Sequence, residues 1–185
     1  METIHYYATH QSKDNTQEYN FYCETEKIGS ATTVVTDTHY NIVIRCNGLF
    51  LEHKNERDME YVKKMRRYCV WSELDHREYT IYDADGKEVY AKLLWGDDPN
   101  KMVFTLQSPF GEYVVAITDG ILAFVKNNYV VSGISDVQKD SPFALTQQLF
   151  KDPDWELCMA MHAEEKLSDE LAVLMMGLRL ILWRE

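Results

Sequence analysis

Three stretches of this sequence share one pattern: a strand led by aromatic residues, a short polar turn and a second strand. Apolar and polar residues alternate before each turn, and aromatic or β-branched residues resume after it. A side-chain period of two interrupted by turns rich in Asp, Glu, Gly or Pro is typical of β-hairpins. The pattern predicts a mostly antiparallel β architecture, and it occurs in residues 19–29, 79–90 and 104–115.

Further two-residue turns extend this pattern along the chain. Asn47-Gly48 follows the alternating run Tyr40–Cys46, and Asp119-Gly120 and Asn127-Asn128 separate later apolar runs. Asn-Gly and Asp-Gly pairs favour tight hairpin turns because their residues tolerate positive φ. We expect an antiparallel meander of about ten strands, curled into a barrel-like sheet.

The end of the sequence has a different period. Asp152-Pro153 predicts the start of a helix in which Trp155, Met159 and His162 share a stripe, and a second helical run leads into Leu171–Trp183. This last run is apolar on nearly every face, and such a helix must be buried on every face. It is either the core of the curled sheet or an exposed docking element for a second copy or another protein.

The length of 185 residues suits one domain, spanning residues 1–185. We assign residues 1–150 to the β-rich sheet, with a helical insertion near residues 55–69, and residues 151–185 to a C-terminal helical segment. The expected fold class is α+β, with the apolar helix or helices packed in or against the sheet.

The net charge of −11 disfavours nucleic acid as a partner, because an acidic surface repels phosphates. The longest apolar run is shorter than the roughly 20 residues of a transmembrane helix. The four cysteines form no CxxC pair and nothing at the start resembles a signal peptide, which predicts reduced thiols and a cytoplasmic location.

The repeated hairpins and the apolar C-terminal run resemble the tubby C-terminal-like superfamily, and the matching residues are Tyr79–Val89 with its Asp83-Ala-Asp-Gly-Lys-Glu-Val89 turn, the Phe104–Val115 hairpin and Asp169–Trp183. That group includes the LURP-one-related proteins and the phospholipid scramblases. The resemblance implies a closed β-barrel with the last helix through its centre. It also implies contact with lipid or phosphoinositide for some members, although no lipid-binding position of the family can be matched here.

One basic cluster stands out in the acidic sequence. Four positive charges lie between two tyrosines and are a candidate site for an anionic partner such as a phosphorylated head group. The alternative is that these charges lie on a solvent-exposed helix face and are balanced by the acidic residues nearby. The cluster consists of Tyr61, Lys63, Lys64, Arg66, Arg67 and Tyr68.

No pattern in the sequence predicts a catalytic residue, a cofactor or a metal. The six histidines form no HExxH or HxH motif, and His162 is interpreted as a partly buried helix residue. The turn at Asp83 and Asp85 resembles the start of a calcium loop, but the twelfth position is Leu94 instead of Glu.

The sequence favours a non-enzymatic, cytoplasmic binding or adaptor module. Its expected partner is another protein or an anionic lipid head group, the latter through the resemblance. One alternative is a regulatory domain that forms a homodimer through its C-terminal helices. A second is an enzyme that acts on a small anionic substrate at the basic cluster.

Overall fold

Twelve antiparallel strands form the wall of a closed barrel in the computed structural model. The structure describes residues 3–36, 40–55, 78–83, 87–96, 103–137, 152 and 154–182. Each strand pairs with its neighbours in the chain, and the first pairs with the last. The strands are β1 (Ile4–Lys13), β2 (Thr16–Cys23), β3 (Glu26–Val35), β4 (Tyr40–Cys46), β5 (Leu49–Asn55), β6 (Glu78–Tyr82), β7 (Val89–Trp95), β8 (Val103–Ser108), β9 (Gly111–Thr118), β10 (Ile121–Lys126), β11 (Tyr129–Asp136) and β12 (Glu156–Ala163).

Tight turns produce this up-and-down order. Both residues of Asn47-Gly48, of Asp119-Gly120 and of Asn127-Asn128 have positive φ, as the sequence predicted. Such turns twist in the same sense as the strands that they join, which keeps successive strands adjacent. The predicted meander is confirmed over β8–β11, where each strand pairs with the next.

The single helix in the described part of the chain, α1 (Asp169–Leu182), lies within the barrel. All residues from Leu171 to Leu182 are buried. One buried cluster contains side chains from this helix and from all twelve strands. A helix packed on the outside of a wall would leave one face in solvent, so burial on every face places α1 inside.

Polar contacts hold the start of α1 against the wall. The Ser168 hydroxyl accepts a hydrogen bond from the backbone N–H of Leu171 (3.3 Å), which satisfies one of the free donors at a helix start. One residue earlier, the backbone N–H of Leu167 donates to the Tyr6 hydroxyl of β1 at 2.9 Å. The helix therefore enters the barrel in a defined position.

Two glycines let α1 approach β3 and β4 closely. A Cβ at Gly177 would overlap the side chain of Ile44 on β4. A Cβ at Gly29 on β3 would lie 2.7 Å from a methyl carbon of Val173 and 2.7 Å from the carbonyl oxygen of Arg45. The position of α1 in the barrel therefore depends on the missing side chains of Gly29 and Gly177 as well as on the packing of its large side chains.

The one cation within α1 is paired at the far end of the barrel. The guanidinium of Arg179 is buried and lies 2.6 Å from the Asp136 carboxylate at the end of β11. Burial lowers the pKa of Arg179, and the charge of Asp136 raises it. The Asp136 side chain is 64% exposed, so the pair connects the interior to solvent.

Parts of the sequence-based prediction need correction. The strand count is twelve instead of about ten. Residues 156–163, predicted to be helical with Met159 and His162 on one stripe, form β12. Leu, Met and Ala suit a helix, but here pairing with β1 and β11 on both sides overrides that preference.

The remaining predictions on the fold divide in two. The β-rich barrel is confirmed, and so is the burial of the apolar run as far as Leu182. The helical insertion predicted near residues 55–69 lies outside the described residues, except for Asn55, which ends β5. Trp183 also lies outside them.

Substituting Gly177 tests the close contact between α1 and β4. We expect Gly177→Val to lower the free energy of unfolding by about 1–3 kcal/mol, because overpacking outweighs the gain in helix propensity. Gly133→Ala is the matched control, since a Cβ there meets only a methyl group of Ile121 at 3.5 Å. Urea unfolding of both variants measures the difference. Equal stability of the two would contradict the packing described here.

The ion pair at Arg179 predicts an asymmetry between two substitutions. Asp136→Asn should cost about 1–3 kcal/mol, less than a fully buried pair because the carboxylate is largely exposed. Arg179→Met should change stability by less than about 1 kcal/mol, because it removes the buried charge itself. Unfolding of both single variants and the double variant decides the point. A larger loss for Arg179→Met would show that the guanidinium is stabilising in its own right.

Candidate functional site

Because α1 fills the interior of the barrel, candidate binding sites lie at the ends of the barrel and on its outer wall. A closed barrel of this many strands encloses more space than its own inward side chains occupy. In this protein α1 takes that space. In the part of the chain that the structure describes, the surfaces open to a partner are consequently the two ends of the barrel and the outward faces of the strands.

The end where α1 begins has a depression of about 680 Å³. The start of β1, the β2–β3 turn and the segment before α1 line it. Its side chains combine an imidazole, a carboxylate and an ammonium group, which can hold a polar ligand by hydrogen bonds and ion pairing. The lining residues are Thr3, Ile4, His5, Cys23, Glu24 and Lys166.

His5 is positioned by both of its neighbouring strands. Its backbone N–H donates to a Glu24 carboxylate oxygen (3.0 Å), and its carbonyl accepts from the backbone N–H of Glu24 (2.8 Å). On its other side, Nδ1 of His5 lies 3.0 Å from Nδ1 of His162, which is on β12. Burial, and next the charge of His5, lower the pKa of His162, which favours a neutral ring.

The described cysteines are poorly suited to nucleophilic chemistry. Burial raises the pKa of the Cys23 thiol, that of Cys46 to about 11 and that of Cys158 to about 12. The thiolate is the reactive form, so all three thiols are almost fully protonated at neutral pH. The Cys46 thiol also donates to the carbonyl oxygen of Ile28 at 3.1 Å. Among the described residues, Cys23 and Cys46 are core side chains and Cys158 is partly buried against the core.

Across the four neighbouring strands β8–β11, the outer wall has an uncharged region that is bordered in β9 by the exposed Glu112. Alternation along each strand and the register between strands place ten outward residues side by side. None carries a charge, although 26% of all residues in this chain are charged. We refer to this surface as the β8–β11 face: Val103, Thr105, Val114, Ala116, Ile121, Ala123, Val125, Val130, Gly133 and Ser135.

Exposure distinguishes the β8–β11 face from ordinary strand surface. Val114 and Ile121 are each 42% exposed and Val130 is 58% exposed. Tyr129, in the same strand as Val130, is 78% exposed. Val114 and Val130 both pair with Val125, so these apolar side chains form one row. A contiguous apolar patch on a charged protein indicates an interaction surface.

The charges around this face are mostly acidic. Exposed Glu112 and Asp119 lie in β9 and in the turn after it, and the largely exposed Asp136 ends β11. Lys126 is engaged locally, since its Nζ donates to the carbonyl oxygen of Phe110 (3.0 Å) and lies 4.9 Å from the ring centre of Tyr113. An apolar centre with an acidic rim therefore describes this surface.

The candidate residues from the sequence meet different outcomes. The basic cluster formed by Tyr61, Lys63, Lys64, Arg66, Arg67 and Tyr68 lies outside the described residues, so it stays a prediction. In the loop at Asp83, the carboxylate accepts hydrogen bonds from the backbone N–H groups of Lys87 (3.0 Å) and Glu88 (3.3 Å), as expected of a turn.

Sequence reasoning missed both surfaces described here. His5 and His162 are 157 residues apart, and only the pairing of β1 with β12 brings them together. The β8–β11 face could have been predicted from the sequence, because uncharged residues alternate with core residues in each strand. That signal is visible in the sequence once strand pairing is assumed.

No model of a protein family, no curated protein and no solved structure matches this chain. In the described residues, no helix is long and apolar enough to cross a bilayer. There too, no three His, Cys, Asp or Glu side chains form a group able to hold a metal ion.

Buried hydroxyl and thiol groups near the start of α1 predict weaker stability at alkaline pH. Burial raises the pKa of Tyr6 to about 12 and that of Cys46 to about 11, above their ordinary values of 10.0 and 9.0. The unfolded chain loses these protons first, so the stabilising contribution is complete below about pH 9 and declines as pH rises towards 12.

Urea unfolding between pH 8 and 11 measures this effect. We expect wild-type protein to lose about 1–3 kcal/mol across the window, and Tyr6→Phe or Cys46→Ala to flatten the decline. Tyr129→Phe is the control, because this side chain is 78% exposed. An unchanged slope in both buried variants would contradict the prediction.

Proposed function

We propose that this protein is a non-catalytic binding module that docks a partner protein on the β8–β11 face. The observation that supports this proposal is the row of exposed valines, Val114 and Val130 with Val125 between them, within the ten uncharged residues of the β8–β11 face. Protein interfaces are depleted in charge at their centre, with a polar rim around it. The β8–β11 face has both properties.

The chemistry of the partner follows from the rim. Glu112, Asp119 and Asp136 surround the apolar centre, and the whole chain has a net charge of −11. Complementary charge favours a partner whose apolar contact surface is flanked by Lys and Arg. Such a partner would be attracted over a distance and held at the apolar centre. Unpaired thiols at Cys23, Cys46 and Cys158 support a reducing, cytoplasmic setting for this binding.

Other occupants of this face are less well supported. An anionic membrane is repelled by the net charge, and the ten residues of the face include no Lys or Arg. A second copy brings the same acidic rim to the contact. The helix that offered a dimer surface in the sequence is buried from Leu171 to Leu182 within its own barrel. This burial does not support a dimer through residues 171–182.

Charge substitution on the face tests the proposal. A photo-crosslinking residue at Val130 first captures the partner in cells, and the partner is then purified. Val114→Asp and Val130→Asp should each weaken its binding at least about tenfold, because an unpaired charge enters the apolar centre. Val34→Asp on β3 is the matched control, since Val34 is 38% exposed and lies six strands from Val114 and four strands from Val130 around the barrel. It should leave binding within about twofold.

Three results would overturn this proposal. The first is a captured protein that binds Val114→Asp and Val130→Asp as tightly as wild type. The second is a concentration-dependent dimer, seen by sedimentation, that these substitutions abolish, which would assign the face to a second copy. The third is flotation with anionic liposomes that the same substitutions abolish, which would assign the face to lipid.

A further inference from the structure

Two imidazoles converge on the seam that closes the barrel. His5 on β1 and His162 on β12 are directly opposite, and their Nδ1 atoms are 3.0 Å apart. The ring centres are 5.1 Å apart and the ring planes are perpendicular. Two nitrogen atoms therefore approach each other from two strands, with neither ring stacked on the other.

The backbone explains why the rings meet. In an antiparallel pair, the N–H and C=O of one residue point to the same neighbouring strand. Those of His5 both point to Glu24, away from β12. His5 and His162 thus form a non-hydrogen-bonded pair, the kind in which opposite side chains are closest.

We propose that His5 and His162 together bind a divalent transition-metal ion through their Nδ1 atoms. Imidazole nitrogen is a preferred ligand of Zn²⁺, Ni²⁺ and Cu²⁺. With metal–nitrogen bonds of about 2.0–2.1 Å, two adjacent ligands are about 2.9 Å apart at a right angle and about 3.3 Å apart in a tetrahedron. The observed 3.0 Å is close to the first value and within a few tenths of an ångström of the second.

The affinity order favours Cu²⁺, and the 3.0 Å separation is compatible with its tetragonal coordination. Tetragonal coordination by nitrogen and oxygen is typical of Cu²⁺ and Ni²⁺, and Cu²⁺ is bound most tightly of the divalent first-row ions. In the described residues no third His, Cys, Asp or Glu joins the pair. Water or a ligand's donor atoms would complete the coordination, which makes this an open site.

Space beside the pair permits a coordinated ligand. On its other side His162 pairs with Gly133 of β11, which has no side chain. A Cβ built at Gly133 would meet only a methyl group of Ile121, at 3.5 Å. Both histidines are partly exposed. An ion at the two Nδ1 atoms would therefore be accessible from solvent.

Metal binding requires one proton to move. In the metal-free pair, one Nδ1–H donates to the other Nδ1. When the ion binds both Nδ1 atoms, that proton leaves and Nε2 of the same ring takes one from solvent. For two neutral rings this exchange releases no net proton. The proposal is independent of the docking of a partner protein on the β8–β11 face.

Copper titration of untagged protein tests this site. Calorimetry should show one Cu²⁺ per chain, and electron paramagnetic resonance should show coupling to two imidazole nitrogens. His5→Gln and His162→Gln should each lower the affinity by about tenfold or more, the loss expected at the least from disturbing a metal ligand. His10→Gln is the matched control, because His10 is on the same strand with its ring beside Tyr19.

A second measurement does not depend on the spectrum of the copper-bound protein. An ion held by β1 and β12 links the two strands that close the barrel, so Cu²⁺ or Zn²⁺ should raise the melting temperature of wild type and of His10→Gln. Neither ion should raise it in His5→Gln or His162→Gln. Unfolding of each variant without metal verifies that it is folded.

Either of two results would overturn the proposal. One is binding of Cu²⁺ with equal affinity by wild type, His5→Gln and His162→Gln, which would place the ion elsewhere. The other is coupling to fewer than two imidazole nitrogens in wild-type protein, a measurement that does not depend on how any variant folds.

Discussion

The rest of this structure depends on a helix that cannot tolerate water on any face. Leu171–Leu182 are all buried, and the only charge among them, Arg179, is paired with Asp136. A flat sheet covers one face of a helix and a second layer covers another, but only a closed wall covers all of them. Closure in turn needs a last strand that pairs with the first, which is the role of β12. Helix burial and barrel closure are therefore one constraint.

This constraint also determines where binding can occur. Many barrels use their interior for a ligand, but here the chain fills that space itself. The inward side of every strand is committed to contacts with α1 or with other core residues. A partner can therefore contact only outward side chains, and the packing of the core does not constrain which residues these are. The absence of charge among the ten residues of the β8–β11 face is consequently informative, because nothing in the core imposes it.

The sequence predicted the elements whose signal is local. Asn47-Gly48, Asp119-Gly120 and Asn127-Asn128 determine their turns through backbone preferences of the residues themselves. The apolar run up to Leu182 likewise shows its burial in its composition. The helix predicted for residues 156–163 was wrong because the signal for a strand there is not local. Met159, Met161 and Ala163 do alternate towards the core, but their helix-forming side chains hide that period.

The missed strand is also the reason that the histidine pair was invisible in the sequence. A helical His162 would face its neighbours in the chain, whereas His162 in β12 faces His5 on one side and Gly133 on the other. Through Gly133 the same row of outward residues continues to Ala123 and Ala116 of the β8–β11 face. The two surfaces proposed for binding are therefore adjacent on one wall. Their adjacency follows from the register of β12, the strand that α1 requires for its own burial.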